Sequence, residues 1–372
     1  MPLSSLNLSN VTKVSGGYGH SLAITSSGEL YSWGLNANGQ LGDGTLVNKT
    51  SPTRIGTATD WIDVACGDYH SLALKSNGAV YAWGKNTLGQ CGSSTGGNIT
   101  TPSLVTMTGS VAQIAASSDY SLFLTYNSLV FGTGDNTYKT ISGLTSNFLT
   151  TPTQIADFQG STLIAAGPTC CAAARLGAIY VRGTYDFVTA NGIYTPSSIN
   201  TATGIVPNSN NSYYISLDIG NQFLLAIKQD GKLYGYTFKG YTHNLTQNSA
   251  NPNTIIPTSY PSQAYTSIGA YGIRYSYQNI TNNLPTFYPD SNELVTIDES
   301  QNWLRLACGR EHALLTNING EVYSFGNNSL GQLGRTATGN SINITKLESP
   351  ANTTNWNVVG CGSFHSLLCL GS

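Results

Sequence analysis

Charge is what this sequence has least of. Only 9% of its 372 residues are Asp, Glu, Lys or Arg, and the formal net charge is −2, where an ordinary domain carries about 25% charged residues. There is no basic run and no acidic tail, hence no electrostatic footprint for nucleic acid or for an anionic membrane. Long apolar runs are also missing. No stretch approaches the ~18 residues of a membrane-crossing helix, and the opening MPLSSLNLSN has neither the basic nor the apolar region of a signal peptide. The expectation is a chain without membrane insertion and without a nucleic-acid partner, located in the virion if it is viral and in the cytoplasm otherwise. No HExxH or CxxC occurs, and the acidic residues are scattered. Neither catalysis nor a metal site nor a cofactor is expected. Asp60 and Asp63 read as a solvated rim.

Cysteine is present in an odd number, seven, without the spacing of a metal site. Cys66, Cys308 and Cys361 each precede a glycine in ACGDYHS, ACGREHA and GCGSFHS. That places them in equivalent slots of different repeats, too far apart to share an ion. They read as small buried residues with reduced thiols.

What the chain has in abundance is Gly (41) and Tyr (22), arranged in repeats. Gly17-Tyr18-Gly19-His20-SLAI matches Gly67-Asp68-Tyr69-His70-SLAL at an offset of 50, and Ser117-Ser118-Asp119-Tyr120-SLFL lies another 50 on. Weaker copies start at Gly167, Gly220 and Gly269, and stronger ones return at Gly309 and Gly362. Seventeen residues after Gly17 comes Gly34 in LYSWGLN, with Gly84, Gly134 and Gly326 in step; Gly183 falls one residue early and Thr237 takes the slot in the fifth copy. A third landmark is GQLG at 39–42, repeated at 89–92 as GQCG and at 331–334. A fourth is Pro52, Pro102 and Pro152.

The segments SLAI and LYSW, joined by turn sequences such as SSGE and SNGA, read as a β-hairpin. GQLG reads as a tight turn, the Ser/Thr-Pro pairs as edge-strand starts, and WIDVACG as an inner strand. No helical period competes. Four short strands per unit, radially repeated, make a propeller blade. The fold expected is therefore all-β: one β-propeller domain over residues 1–372, with seven blades of four-stranded antiparallel sheet. Repeats start near 17, 67, 117, 167, 220, 269 and 309, and strands in 355–370 are placed to close the ring.

Four of the five histidines, His20, His70, His312 and His365, share one slot. Tyr120, Cys170, Phe223 and Gly272 fill it elsewhere, which no common metal site would permit. The reading is structural, each ring nitrogen bonding a backbone group in its own blade. Trp33 and Trp83, replaced by Thr133 and Phe325 in other copies, read as packing between blades. Gly34, Gly84 and Gly326 likewise read as structural repeat residues. GQLG lacks the Lys-Ser/Thr and helix of a phosphate-binding loop. Sequons such as Asn48, Asn98 and Asn244 read as by-products of an Asn/Ser/Thr-rich composition.

These motifs resemble the repeats of the regulator of chromosome condensation family, whose blades carry Gly-x-x-His-(Ser/Thr)-(Leu/Val)-Ala-Leu, Tyr-x-Trp-Gly and Gly-Gln-Leu-Gly. The match is full in repeats one and two, good in the seventh and partial between. The resemblance implies the propeller fold. For function it implies several roles: exchange factor for a small GTPase, ultraviolet photoreceptor, partner-binding module of large ligases, or inhibitor of β-lactamase. The basic amino-terminal tail of the chromatin-bound exchange factor is absent. Gly309-Arg310-Glu311-His312-Ala313 lacks the Trp of the photoreceptor's Gly-Trp-Arg-His-Thr motif, which argues against photoreception.

A surface of Tyr, Asn, Ser, Thr and Gly has the chemistry of adaptable binding faces, and long inserts on a rigid scaffold commonly carry binding. The variable segments are 185–212 and 240–292. The leading expectation is a non-enzymatic, protein-binding or structural propeller, a virion (phage capsid or tail) or adhesive component that docks virion subunits or a host surface receptor. Tyr213, Tyr214, Tyr260, Tyr265, Tyr271 and Tyr275 are the candidate contacts. The alternative is a regulatory module, either a guanine-nucleotide exchange factor for a small GTPase or a protein inhibitor of an enzyme.

Overall fold

A computed structural model describes residues 8–94, 96–142, 146–188, 194–205, 213–221, 223–237, 245–247, 255–257, 267–269, 272–274, 295–298, 300–335, 341–348 and 356–370. Among these, six four-stranded antiparallel sheets and one two-stranded sheet are arranged as propeller blades. Blade 1 comprises Val11–Gly16, His20–Thr25, Leu30–Gly34 and Lys49–Arg54. Blade 2 repeats it with Trp61–Cys66, His70–Lys75, Val80–Gly84 and Ile99–Leu104. Blade 3 runs from Val111–Ser117 to Phe148–Gln154, blade 4 from Leu163–Ala166 to Tyr194–Ile205, and blade 6 from Trp303–Cys308 to Ser341–Lys346.

Blade 5 takes Tyr214–Ile219, Phe223–Lys228 and Leu233–Thr237, then reaches forward to Val295–Asp298 for its outer strand. The copy expected near 269 is thus corrected. Ser267–Gly269 and Gly272–Arg274 form a short hairpin inside the excursion between the third and fourth strands of blade 5. Blades 5 and 6 bond to each other directly, Cys308 N–H to Asp218 Oδ2 and Asn221 N–H to Arg310 O, which leaves no place in the ring for a blade between them. The seventh place in the ring belongs to Trp356–Cys361 and Ser366–Leu370. That pair meets blade 1 directly: Ser363 N–H donates to Gly17 O at 2.9 Å, and a Cβ on Gly16 would lie 2.7 Å from Gly362 Cα.

The second strands are the core. HSLAIT, HSLALK, YSLFLT and FLLAIK are buried at every or nearly every residue because they lie between neighbouring blades. Outer strands such as KTSPTR and ITTPSL are largely exposed, and their Pro52 and Pro102 remove donors from sheet edges that could otherwise pair with another chain. Gly84 sits at φ +98°, and a Cβ there would come within 2.5 Å of Tyr69 O. Gly34 and Gly326 share that conformation. Gly183 pairs with Cys170 as Gly34 pairs with His20; its early position reflects a Leu176-Gly177 turn one residue shorter.

Candidate partner-binding face and its supports

The shared histidines build the seams between blades, and they do so across blades rather than within them. His20 Nε2 lies 3.0 Å from Ser71 Oγ of blade 2, and His70 Nε2 lies 2.9 Å from Ser121 Oγ of blade 3. His312 Nε2 reaches Ser366 Oγ at 3.1 Å, and His365 Nε2 reaches Ser21 Oγ at 3.0 Å across the ring closure. The expected backbone partner in the same blade is therefore corrected. Ser71, Ser121 and Ser366 in turn donate to the carbonyls of Gln40, Gln90 and Gln332. Since each serine donates there, it accepts from the histidine, and the ring carries its proton on Nε2. The GQLG turn is thus a clasp: the loop of one blade holds the serine of the next.

Burial, above all, lowers the pKa of His20 to about 3 and those of His70 and His312 to about 4; the neighbouring imidazoles add to the fall at His20 and His312. A neutral ring fits the clasp. The turn glycines are required by the same rings, for a Cβ on Gly67 would lie 2.0 Å from His70 Cε1.

Trp83 is buried beneath the preceding blade's loop and donates Nε1–H to Gln40 O at 2.9 Å. Trp33, the equivalent residue of blade 1, is only half-buried. Sequence reading passed over Asn36, Asn86, Asn136 and Asn328, which lock these loops. In each, the side-chain oxygen accepts the N–H five residues on, as with Asn36 and Leu41 at 2.9 Å.

The seams lacking a His·Ser pair hold other matched pairs. Tyr120 donates its hydroxyl to Gly167 O at 2.7 Å while Cys171 replaces serine and bonds Thr140 O. Cys170 packs in one apolar cluster with Leu224, and Phe223 in one with Ala313. The seven cysteines are unbridged; burial pushes the Cys66 thiol up to about 12 and Cys308 and Cys361 upward as well, so these thiols stay protonated. Asp60 and Asp63 pair with Lys75 and Lys13 at 2.9 and 3.5 Å.

Asp68, Ser118, Pro168, Arg310 and Ser363, each just after its blade's turn position, line one mouth of a central channel, a cavity of about 250 Å³ walled by the inner strands. At this mouth Tyr18 lies 5.4 Å, centroid to centroid, from both Tyr69 and Phe364. Arg310 pairs with Asp68 at 2.6 Å and sits 5.7 Å from the Phe364 ring. Lys85 pairs with Asp119 at 3.1 Å and lies 5.8 Å from the Tyr69 ring. Turn-to-turn backbone bonds, Tyr18 N–H to Asp68 O and Asp68 N–H to Ser118 O, fix these positions. Five blades thereby contribute aromatic and charged groups to one rim. The sequence hides this, because residues 18 and 364 become neighbours only when the ring closes.

Of the tyrosines expected to make contacts, Tyr213 is 56% exposed. Tyr214 is buried in the cluster formed by blades 4 and 5, so its ring is not a surface contact. Tyr260, Tyr265, Tyr271 and Tyr275 lie outside the described residues. No helix among the described residues is long and apolar enough to cross a membrane, and no three His, Cys, Asp or Glu side chains among them converge as metal ligands would.

A family model described as Regulator of chromosome condensation (RCC1) repeat matches residues 27–74, 77–124 and 319–369, and a second of that description matches 11–40, 61–90 and 304–332. Over 67 residues the chain is 39% identical to the Ultraviolet-B receptor UVR8 of Arabidopsis thaliana, covering 18% of this chain and 15% of that protein. Over 57 residues it is 40% identical to the human RCC1-like G exchanging factor-like protein, covering 15% and 12%. These matches thus span less than a fifth of the relatives' length. None of these relatives is a virion component by name, so the virion expectation gains no support from them.

Among solved structures, human WBSCR16 superposes with TM-score 0.71 at 21% identity over 99% of this chain and 88% of its own. Prp20p of Saccharomyces cerevisiae, described with its binding to Gsp1p and histones, superposes with TM-score 0.69 at 20% identity over 97% and 83%. At such identity the likeness shows the fold. With these matches, the chain is a β-propeller that carries regulator of chromosome condensation repeats over residues 11–124 and 304–369.

Proposed function

We propose that this propeller acts by binding a protein on the rim that carries Tyr18, Tyr69, Phe364 and Arg310, as a regulatory module. The version the relatives favour is a guanine-nucleotide exchange factor for a small GTPase: one relative is named a G exchanging factor-like protein, and Prp20p is described with Gsp1p. The observation that carries the binding face is the concentration of aromatic rings and ion pairs at one channel mouth, in a chain with 9% charged residues. Tyr and Arg dominate the energetic centres of protein interfaces. Rings held by backbone bonds and neighbouring cations lose little freedom on docking. An exchange factor loosens bound nucleotide by gripping the GTPase more tightly without it, a differential-binding task that needs a rigid face and no catalytic side chain.

The test is release of a fluorescent GDP analogue from a panel of purified small GTPases. Acceleration by substoichiometric propeller supports exchange activity. Unchanged release across the panel rejects it.

A further inference from the structure

One residue breaks the pattern of the channel wall. Two positions before each turn glycine the blades hold Ser15, Ala65, Ala115, Ala165, Ala307 and Gly360, but blade 5 holds Asp218. Its Oδ1 accepts the Ile219 N–H at 2.9 Å and its Oδ2 the Cys308 N–H of blade 6 at 2.7 Å. A carboxylate offers about four lone-pair sites, so these bonds leave half of them open. No Lys or Arg pairs with it among the described residues. Arg310 and Asp68, the other charged groups on the cavity, are bound to each other at 2.6 Å. Cys66, Cys308 and Cys361 face the same space as protonated thiols.

Burial raises the Asp218 carboxyl to about 6, against which its two N–H bonds act. At neutral pH the site therefore holds a negative charge with no counter-ion among the described residues. The walls around it are mostly Gly, Ala, Ser and Cys, with Gln113, Ile114, Ile164, Leu217 and Ile219 among them, and enclose a cavity of about 250 Å³. A metal ion is disfavoured, because no third ligand converges with it among the described residues.

We propose that the central channel binds a primary ammonium group at Asp218, entering through the mouth beside Tyr18 and Tyr69. An ammonium is compact and carries three donors, which match the open lone pairs of the carboxylate. The group is carried by a free amine or by a lysine of a bound protein. This inference does not rest on the exchange-factor reading, and either can fail without the other.

The test is thermal unfolding of the full chain at about pH 7.5 with about 50 mM n-butylammonium chloride, against NaCl of equal ionic strength. Nα-acetyl-lysine N-methylamide serves as a second probe. The expected result is a Tm raised by about 2 °C, abolished in Asp218→Asn and at about pH 5, where the carboxyl is protonated. Asn keeps an acceptor for one N–H and removes the buried charge, so the variant folds. A shift with both probes supports the site and shows it open to free amines. A shift with the lysine derivative alone supports it as a reader of presented side chains. Equal Tm in NaCl and in both probes overturns it, as does a shift that persists in Asp218→Asn.

Discussion

The seam between blades 2 and 3 and the seam between blades 4 and 5 join the same two strand edges with opposite chemistry. At the first, His70, Ser121 and the Gln90 carbonyl form a directional chain, Asp68 N–H reaches Ser118 O, and Gln90 Nε2–H reaches Asp119 at 2.8 Å. At the second, the residue equivalent to Asp68 is Pro168, which has no N–H to give. Cys170 and Leu224 replace His and Ser in a cluster of Ala, Val, Ile and Leu. Each seam is self-consistent. A lone histidine opposite leucine would leave a buried ring nitrogen without a partner, at a cost of about 1–3 kcal/mol, so the two sides change together. The polar seams specify a geometry, and they carry the rim of Tyr18, Tyr69 and Phe364. Among the described residues the apolar seam has only shape to hold it.

Acid breaks this comparison most strongly. The histidines of the clasped seams have folded-state pKa values far below the ordinary 6.5, so between about pH 4 and 6.5 the unfolded chain binds more protons. Stability falls as pH drops from 6.5 through that window, on the order of 3 kcal/mol per ring for His70 and His312. Asp218 acts the other way: its raised folded-state pKa, about 6 against 3.8, adds stability as pH falls through 6 toward 4. Hydrogen exchange at about pH 4.5 is expected to show the second strands of blades 1, 2 and 6 losing protection before that of blade 4. Simultaneous loss in all blades would remove the distinction.

Next in size is a pair of glycine substitutions. Gly67→Ala would drive a Cβ into the His70 ring and is expected to cost about 3 kcal/mol or more. Gly167→Ala would meet Ile219 Cγ2 at 2.3 Å and the Cys170 carbonyl oxygen at 3.1 Å, with no histidine ring in the way, and is expected to cost less, about 2 kcal/mol. Urea unfolding compares them, and equal losses would show that the seams do not differ in rigidity. A double-mutant cycle sharpens the point further. His70→Phe and Ser121→Ala each cost about 2 kcal/mol alone, while together they recreate the Phe223·Ala313 arrangement and recover about 1–2 kcal/mol. Smallest is Asp218→Asn, where removal of the buried charge is offset by one backbone N–H left facing the amide NH2, so stability at pH 7.5 is expected to change by about 1 kcal/mol or less.

The repeat fold was legible because its signals are local. His20 and Gly34, or Gly39 to Gly42, sit at fixed spacing in several copies, and each spacing is one hairpin or one turn. What those residues do was less legible, because their partners lie in the next blade: His20 meets Ser71, and Gln40 holds both Ser71 and Trp83. No local rule reports a contact 50 residues away. The degenerate copy near 269 imitates the turn with a glycine and a few apolar residues, but no local signal reports that blades 5 and 6 already bond to each other. The rim was hidden by ring closure, and Tyr214 was misplaced because composition does not separate an exposed tyrosine from its buried neighbour Tyr213.

The two faces of the disc give the most direct test of the proposed binding rim. Hairpin geometry puts Tyr69 and Arg310 at one end of the second strands and Leu176, 83% exposed, at the other. Nucleotide release from the responding GTPase should be compared for the unaltered chain, Tyr69→Ala, Arg310→Ala and Leu176→Ser, with folding checked by the Tm of each. The account predicts at least a tenfold loss for the two rim variants, an interface effect of about 1.4 kcal/mol or more, and no change for Leu176→Ser. Full activity in both rim variants, or loss confined to Leu176→Ser, would contradict it.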